Sequence, residues 1–223
     1  MQRALLRAIP FAVAIPIAYG ATFVALGQPV DGRALLVGAA GWFVALLLRS
    51  PVGLAAMALK RSEDETTRWV VASSGPLEEG VRLVALLLFG RDLTTALWLG
   101  LGWASIEIVY TIINGFALAS LANRNDPEAE RVRALLPPSA FTAAGVAWGV
   151  VERAWASAVH VGFTLITAAA PIAVILTAPL HSAINITFVA AMRRYSMAAL
   201  HLAGAALAAG LVGLGLALHA ALG

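Results

Sequence analysis

The sequence predicts an all-α bundle of membrane-spanning helices. Three observations carry this. Of 223 residues, 61% are hydrophobic and only 12% are charged, against roughly 25% charged in an ordinary soluble domain. Mean hydropathy is +0.86. The apolar residues also fall into runs of about 20 or more, the length that crosses a hydrocarbon layer. The length suits a single domain over 1–223.

Seven such runs follow in order, near 8–27, 34–59, 69–90, 93–122, 140–170, 171–191 and 197–222. The first follows Arg3 and Arg7 and is long for a signal peptide, so it reads as a retained span. The second is longer than needed, and a break at Pro51 would leave a short cytoplasmic-side helix after it. The third holds Glu78 and Glu79, and the fourth holds Glu107. The fifth is also long and can begin as an interfacial segment after Pro137 and Pro138. Either feature would raise the helix count to eight. Pro171 marks a tight turn into the sixth. The seventh is a plain Ala/Leu/Gly run with His201 and His219 near its ends, both read as interfacial.

The linkers are short and polar: KRSEDETTR at 60–68, NRNDPEAERVR at 123–133 and Arg193-Arg194-Tyr195. With seven spans and a cytoplasmic N-terminus, the inside segments hold Arg3, Arg7, Lys60, Arg61, Arg68, Arg124, Arg131, Arg133, Arg193 and Arg194. Only Arg33 and Arg91 fall outside. This asymmetry fits the rule that cytoplasmic loops are rich in Lys and Arg.

Some functions are excluded. The chain has no cysteine, so disulfides, thiolate nucleophiles and cysteine zinc sites are ruled out. No long basic run offers a nucleic-acid footprint. H-E-x-x-H and G-x-S-x-G are absent. Ser73 and Ser74 lie near Glu78, but no glycine precedes them at rhomboid-type spacing. No aspartate lies within a span, so a presenilin-like pair cannot form.

The informative residues are polar groups inside the spans: Glu78, Glu79, Arg82, Glu107, Asn114, Glu152, Arg153, His160, His181 and Asn185. A charge at the bilayer centre costs about 2.5–3.5 kcal/mol on insertion scales, and such groups mark function when they face one another or a water-filled cavity. Glu78 and Glu79 lie about ten residues into the third span, Glu107 about fourteen into the fourth from the opposite side, and His181 about ten into the sixth. At 1.5 Å per residue these depths converge near the midplane. His160 joins them if the fifth span enters lipid near Val146. Glu78 with Arg82, and His181 with Asn185, are i,i+4 pairs on one face. Glu152 and His160 are eight apart, about 80° around the helix, and need not share a site.

Carboxylates and imidazoles in a low-dielectric cavity suit activation of water. A buried Glu serves as general base while His and Asn donate to an oxyanion. Alternatively, His and Glu hold a zinc ion that acidifies its bound water. Both routes lead to amide hydrolysis within the membrane.

The run EEGVR at 78–82 resembles the E-E-x-x-(R/K) motif of the CAAX-protease and bacteriocin-processing superfamily. Trp103 to Glu107 resembles its second motif, F-x-x-x-(H/E), in the PrsW-like form, with Trp in place of Phe. HSAIN at 181–185 is similar to the closing H-x-x-x-(N/D). ERAWASAVH at 152–160 resembles a stretch of the YhfC-like branch. The four motifs lie in order within a core of about 68–192, with spans 8–59 and 197–222 peripheral.

The resemblance implies an intramembrane protease of glutamate or metallo type. Glu78 would activate water, supported by Glu79 and Arg82. His160, His181 and Asn185 would line the site, with Asn185 in the oxyanion pocket. Glu107 stands where the prenyl-protein branch has histidine, which argues against CAAX processing. Glu152, Arg153 and Trp103 would stand behind these groups. The cofactor is none or zinc, with Glu78, Glu107, His160 and His181 as candidate ligands.

The expected partners are membrane lipid and a membrane-protein or peptide substrate, in a prokaryotic plasma membrane. Two alternatives stay open. One is a non-catalytic membrane scaffold, since the superfamily also resembles a subunit that supports a different protease. The other is a proton-coupled transporter, disfavoured by the lack of an internal repeat.

Overall fold

A computed structural model describes residues 2–135, 142–192 and 194–222. Pro137, Pro138 and Arg193 lie outside these residues. The described chain is all-α: α1 (Gln2–Ala25), α2 (Gly32–Ala58), α3 (Glu63–Phe89), α4 (Leu93–Ala122), α5 (Pro127–Leu135), α6 (Ala143–Ala169), α7 (Val174–Ala191) and α8 (Met197–Leu222), with one 3-10 turn at Pro171–Ala173.

Local chemistry sets the helix ends. Asp31, Ser62, Asp92 and Thr142 accept the first free N–H groups of α2, α3, α4 and α6. Ser62 and Glu65 form a reciprocal capping box. Gly90, at φ 130°, ends α3 in a conformation that side chains avoid. Two expectations about helix count are corrected. Pro51 does not break the second helix, which runs through it to Ala58. The extra helix is α5, which begins within the 123–133 segment read as a linker and ends at Leu135.

Five segments are long and apolar enough to cross a membrane: Gln2–Ala25, Gly32–Ala58, Leu93–Ala122, Pro171–Ala191 and Met197–Leu222. The two equally long helices outside this set, α3 and α6, are those interrupted by charge. The outer surface suits lipid, with Leu36, Leu88, Ile172, Leu176 and Leu202 each about seven-tenths exposed.

Helix α4 is the axis of the bundle. It packs on α2, α6 and α1, while α8 covers α6 and α7 covers α3. Its residues Thr95–Ala104 are buried without interruption. Backbone contact there needs glycine. A Cβ on Gly38 would lie 2.0 Å from the Leu99 carbonyl oxygen, and one on Gly102 would lie 1.9 Å from that of Leu35. Small residues that let backbones meet are the usual currency of helix packing in membranes.

The α3–α7 crossing is built around a proline. Pro76 has no N–H, so the carbonyl of Ala72 loses its partner within the helix. Ser182 of α7 supplies one: its hydroxyl donates to the Ala72 carbonyl at 2.7 Å and accepts from the Gly75 N–H at 3.1 Å. The broken turn of α3 is thereby stitched to α7, just before Glu78 and Glu79.

Candidate active site

Five helices converge on a cavity of about 240 Å³. Arg49 enters from α2, Glu78 from α3, Glu107 from α4, Glu152, Arg153 and His160 from α6, and His181 and Asn185 from α7. Glu79 and Arg82 lie behind this wall with no exposure. All the site residues expected from the sequence are therefore brought together. Glu152 and His160 line the same cavity, correcting the expectation that they need not meet.

The pairing differs from the i,i+4 reading. Arg82 turns to Glu79, donating at 2.9 and 3.1 Å to its two oxygens, and not to Glu78. Its second terminal nitrogen donates to His160 Nδ1 at 3.2 Å. The guanidinium lies between Trp103, 4.6 Å from the ring centre, and Phe163 at 6.0 Å. Such enclosure suits Arg, whose planar charge is weakly hydrated.

Glu78 faces the cavity instead. Arg49 donates to its Oε1, and the Trp103 indole donates to its Oε2 at 2.9 Å. Trp103, expected from the second motif, thus touches the key carboxylate directly. Arg49 was not singled out in the sequence. Its signal was a lone cation within the second apolar run.

The histidine tautomers follow from their partners. Arg carries only donors, so His160 Nδ1 accepts, and its Nε2–H donates to Glu107. Glu107 also receives Arg153 at 2.5 Å, and Arg153 bridges to Glu152 at 2.5 Å. His181 donates Nδ1–H to Glu79 at 2.7 Å. Its Nε2 is left 3.8 Å from Glu78 Oε1. Asn185 donates to Ser74 Oγ at 2.9 Å, tying α7 to α3 a second time.

No family model, curated protein or solved structure matches the chain. What the site can do follows from its own atoms. Four carboxylates (Glu78, Glu79, Glu107, Glu152) are paired with three guanidiniums (Arg49, Arg82, Arg153). The acids outnumber the guanidiniums by one, and Glu78 also faces the His181 imidazole, Oε1 to Nε2 at 3.8 Å. A Glu–His pair facing each other beside a cavity with room for water has the geometry that general acid–base chemistry needs.

A metal is the other use for these residues. Glu78, His160 and His181 offer ligand atoms within 4.8 Å of one another and could hold an ion. Two His and one Glu are a donor set of catalytic zinc sites. His181 fits: its Nδ1 is held by Glu79, as ligating histidines are held by carboxylates. The rest fits in kind but not in arrangement. Both nitrogens of His160 are committed, and Arg49 holds the Glu78 oxygen nearest His181. Glu107 stands outside the trio, engaged by Arg153 and His160.

His201 is also not as expected. It is buried, accepts from the Trp155 indole at 3.0 Å and stacks on Trp148 at 4.9 Å.

Proposed function

We propose that this protein is an intramembrane endopeptidase that hydrolyses a membrane-embedded or membrane-proximal peptide bond with water activated between Glu78 and His181. The observation that carries this is the facing of Glu78 Oε1 and His181 Nε2 at 3.8 Å across the wall of a polar cavity sunk among apolar helices. Glu79, locked by Arg82, orients His181 as the acid orients histidine in a catalytic triad. The pair takes a proton from water as it attacks and returns it to the leaving amine. Arg49, which lines the cavity and holds Glu78 through one terminal nitrogen, offers its remaining N–H groups to the oxyanion, and the second N–H of Asn185 adds to it. The four ordered motifs that resemble the CAAX-protease and bacteriocin-processing superfamily support the same reading.

The reading takes α3 and α6 as spans as well, their charges neutralised inside the bundle. That makes seven spans, with a cytoplasmic N-terminus from the arginine asymmetry and a prokaryotic plasma membrane as the site of action. The zinc form is the second reading, on the strength of the Glu78, His160 and His181 grouping.

The test compares membrane-protein N-termini from cells expressing wild type or Glu78→Gln at matched levels. Termini found only with wild type are expected, with cleavage falling about 10²–10⁴-fold in the variant, the range for loss of a general base. Unchanged termini, together with lower thermal stability or lost co-purifying partners in the variant, would replace the enzyme by a scaffold. Stoichiometric zinc whose chelation stops cleavage would select the metal form.

A further inference from the structure

We infer that the gap between α7 and α8 is a lateral door through which an apolar polypeptide segment passes from lipid to the cavity. This rests on the protease reading above. α7 packs on α3 and α8 on α6, while α7 and α8 barely touch each other. The groove left between them has a volume of about 280 Å³. It carries no Asp, Glu, Lys or Arg, and its outer walls include Ala183 and Thr187 on α7 and Ala203 and Leu207 on α8.

Trp155, Ile184 and Phe188 line this groove and also line the polar cavity. These three side chains thus stand between the lipid-facing groove and the polar cavity that holds the Glu78–His181 pair. The Trp155 indole is hung from His201 at 3.0 Å and meets Phe188 edge-on at 5.2 Å. It lies directly over Gly204, where a Cβ would come within 2.7 Å of the ring. The wall is therefore held by one hydrogen bond and by aromatic contact, without an ion pair.

The continuity of groove and cavity selects the occupant. The outer part takes uncharged, apolar side chains, and the inner part takes the polar amide they flank. An extended hydrophobic stretch of a substrate polypeptide supplies both. A lipid acyl chain supplies only the first.

The experiment uses the full-length protein in phospholipid nanodiscs and a synthetic apolar peptide of about 20 residues carrying photo-leucine at its centre, with adducts mapped by mass spectrometry. Adducts are expected on the α7 and α8 segments around Ala183–Thr187 and Ala203–Leu207. They should fall about tenfold in Ala203→Trp, the loss when one large apolar side chain can no longer be buried. Ala203 and Ala183 are both exposed, so Ala183→Phe, which fills the groove from the other wall, is a second variant of equal expectation.

Glu78→Gln should keep the adducts. Adducts in the groove without any cleavage would leave the door standing and remove the protease. Cleavage that survives both groove-filling variants would leave the protease and remove the door. Adducts spread evenly over lipid-facing α1 and α2, adducts between two copies of the chain, or a groove labelled by photoactivatable phospholipid but not by the peptide would each overturn the door.

Discussion

Arg82→Ala is expected to be the most destabilising single substitution in the site, lowering unfolding stability by about 3–5 kcal/mol, the cost of leaving a buried charge without its partner. Arg82 and Glu79 are both fully buried, and three further groups depend on the guanidinium: His160 for its tautomer, and Trp103 and Phe163 for their packing. Chemical unfolding in detergent measures the loss. The combination Glu79→Leu with Arg82→Met should recover most of it, because two apolar residues of similar size replace a buried pair at little cost. The double variant should still fail to cleave, since His181 has lost the carboxylate that orients it. A double variant as unstable as Arg82→Ala would show that the pair does more than neutralise itself.

The second large effect is Gly75→Ala. A Cβ there would lie 2.0 Å from the Ala178 carbonyl oxygen and 2.5 Å from Ser182 Oγ. The first of these is backbone and cannot rotate away, so α3 and α7 must part. The expected cost is about 1–3 kcal/mol of overpacking strain. Cleavage should be lost as well, because the same movement draws Glu78 and Glu79 from His181. Gly80→Ala is the control. It lies one turn further on the same helix with nothing within 4 Å of its Cβ, so it should fold as well as wild type or slightly better. Equal behaviour of the two variants would contradict the close α3–α7 crossing.

The bundle and the gathering of Glu78, Glu107, His160 and His181 were legible because charge in an apolar run is conspicuous and helix rise converts position into depth. Pairing was not legible. Glu78 and Glu79 are adjacent, and only the packing of α3 between α2 and α7 decides that Glu79 meets Arg82 while Glu78 meets Arg49. Ser74 was weighed only as a nucleophile, and Ser182 was passed over because hydroxyls are unremarkable in membrane helices. The role of Ser182 arises from Pro76, which orphans the Ala72 carbonyl; that loss can be inferred, but the partner on α7 cannot. α5 was missed because its charged sequence has no apolar face long enough to announce a helix.

Three of the site's ion pairs differ in how far apart along the chain their partners lie. Arg82 and Glu79 are three residues apart and neutralise each other within one turn of the nascent chain. Arg49 already precedes Glu78, so that pair closes when α3 folds back on α2. Glu107 is different: its guanidinium, Arg153, follows 46 residues later, an interval of seconds at synthesis rates of about 5–20 residues per second. During that interval α4 carries a carboxylate with no cation to meet it. If α4 and α6 both span the membrane, the expectation is that α4 integrates stably only once α6 emerges. Nascent chains truncated after α4 should integrate that helix poorly, and Glu107→Leu should restore integration, as glycosylation mapping would register.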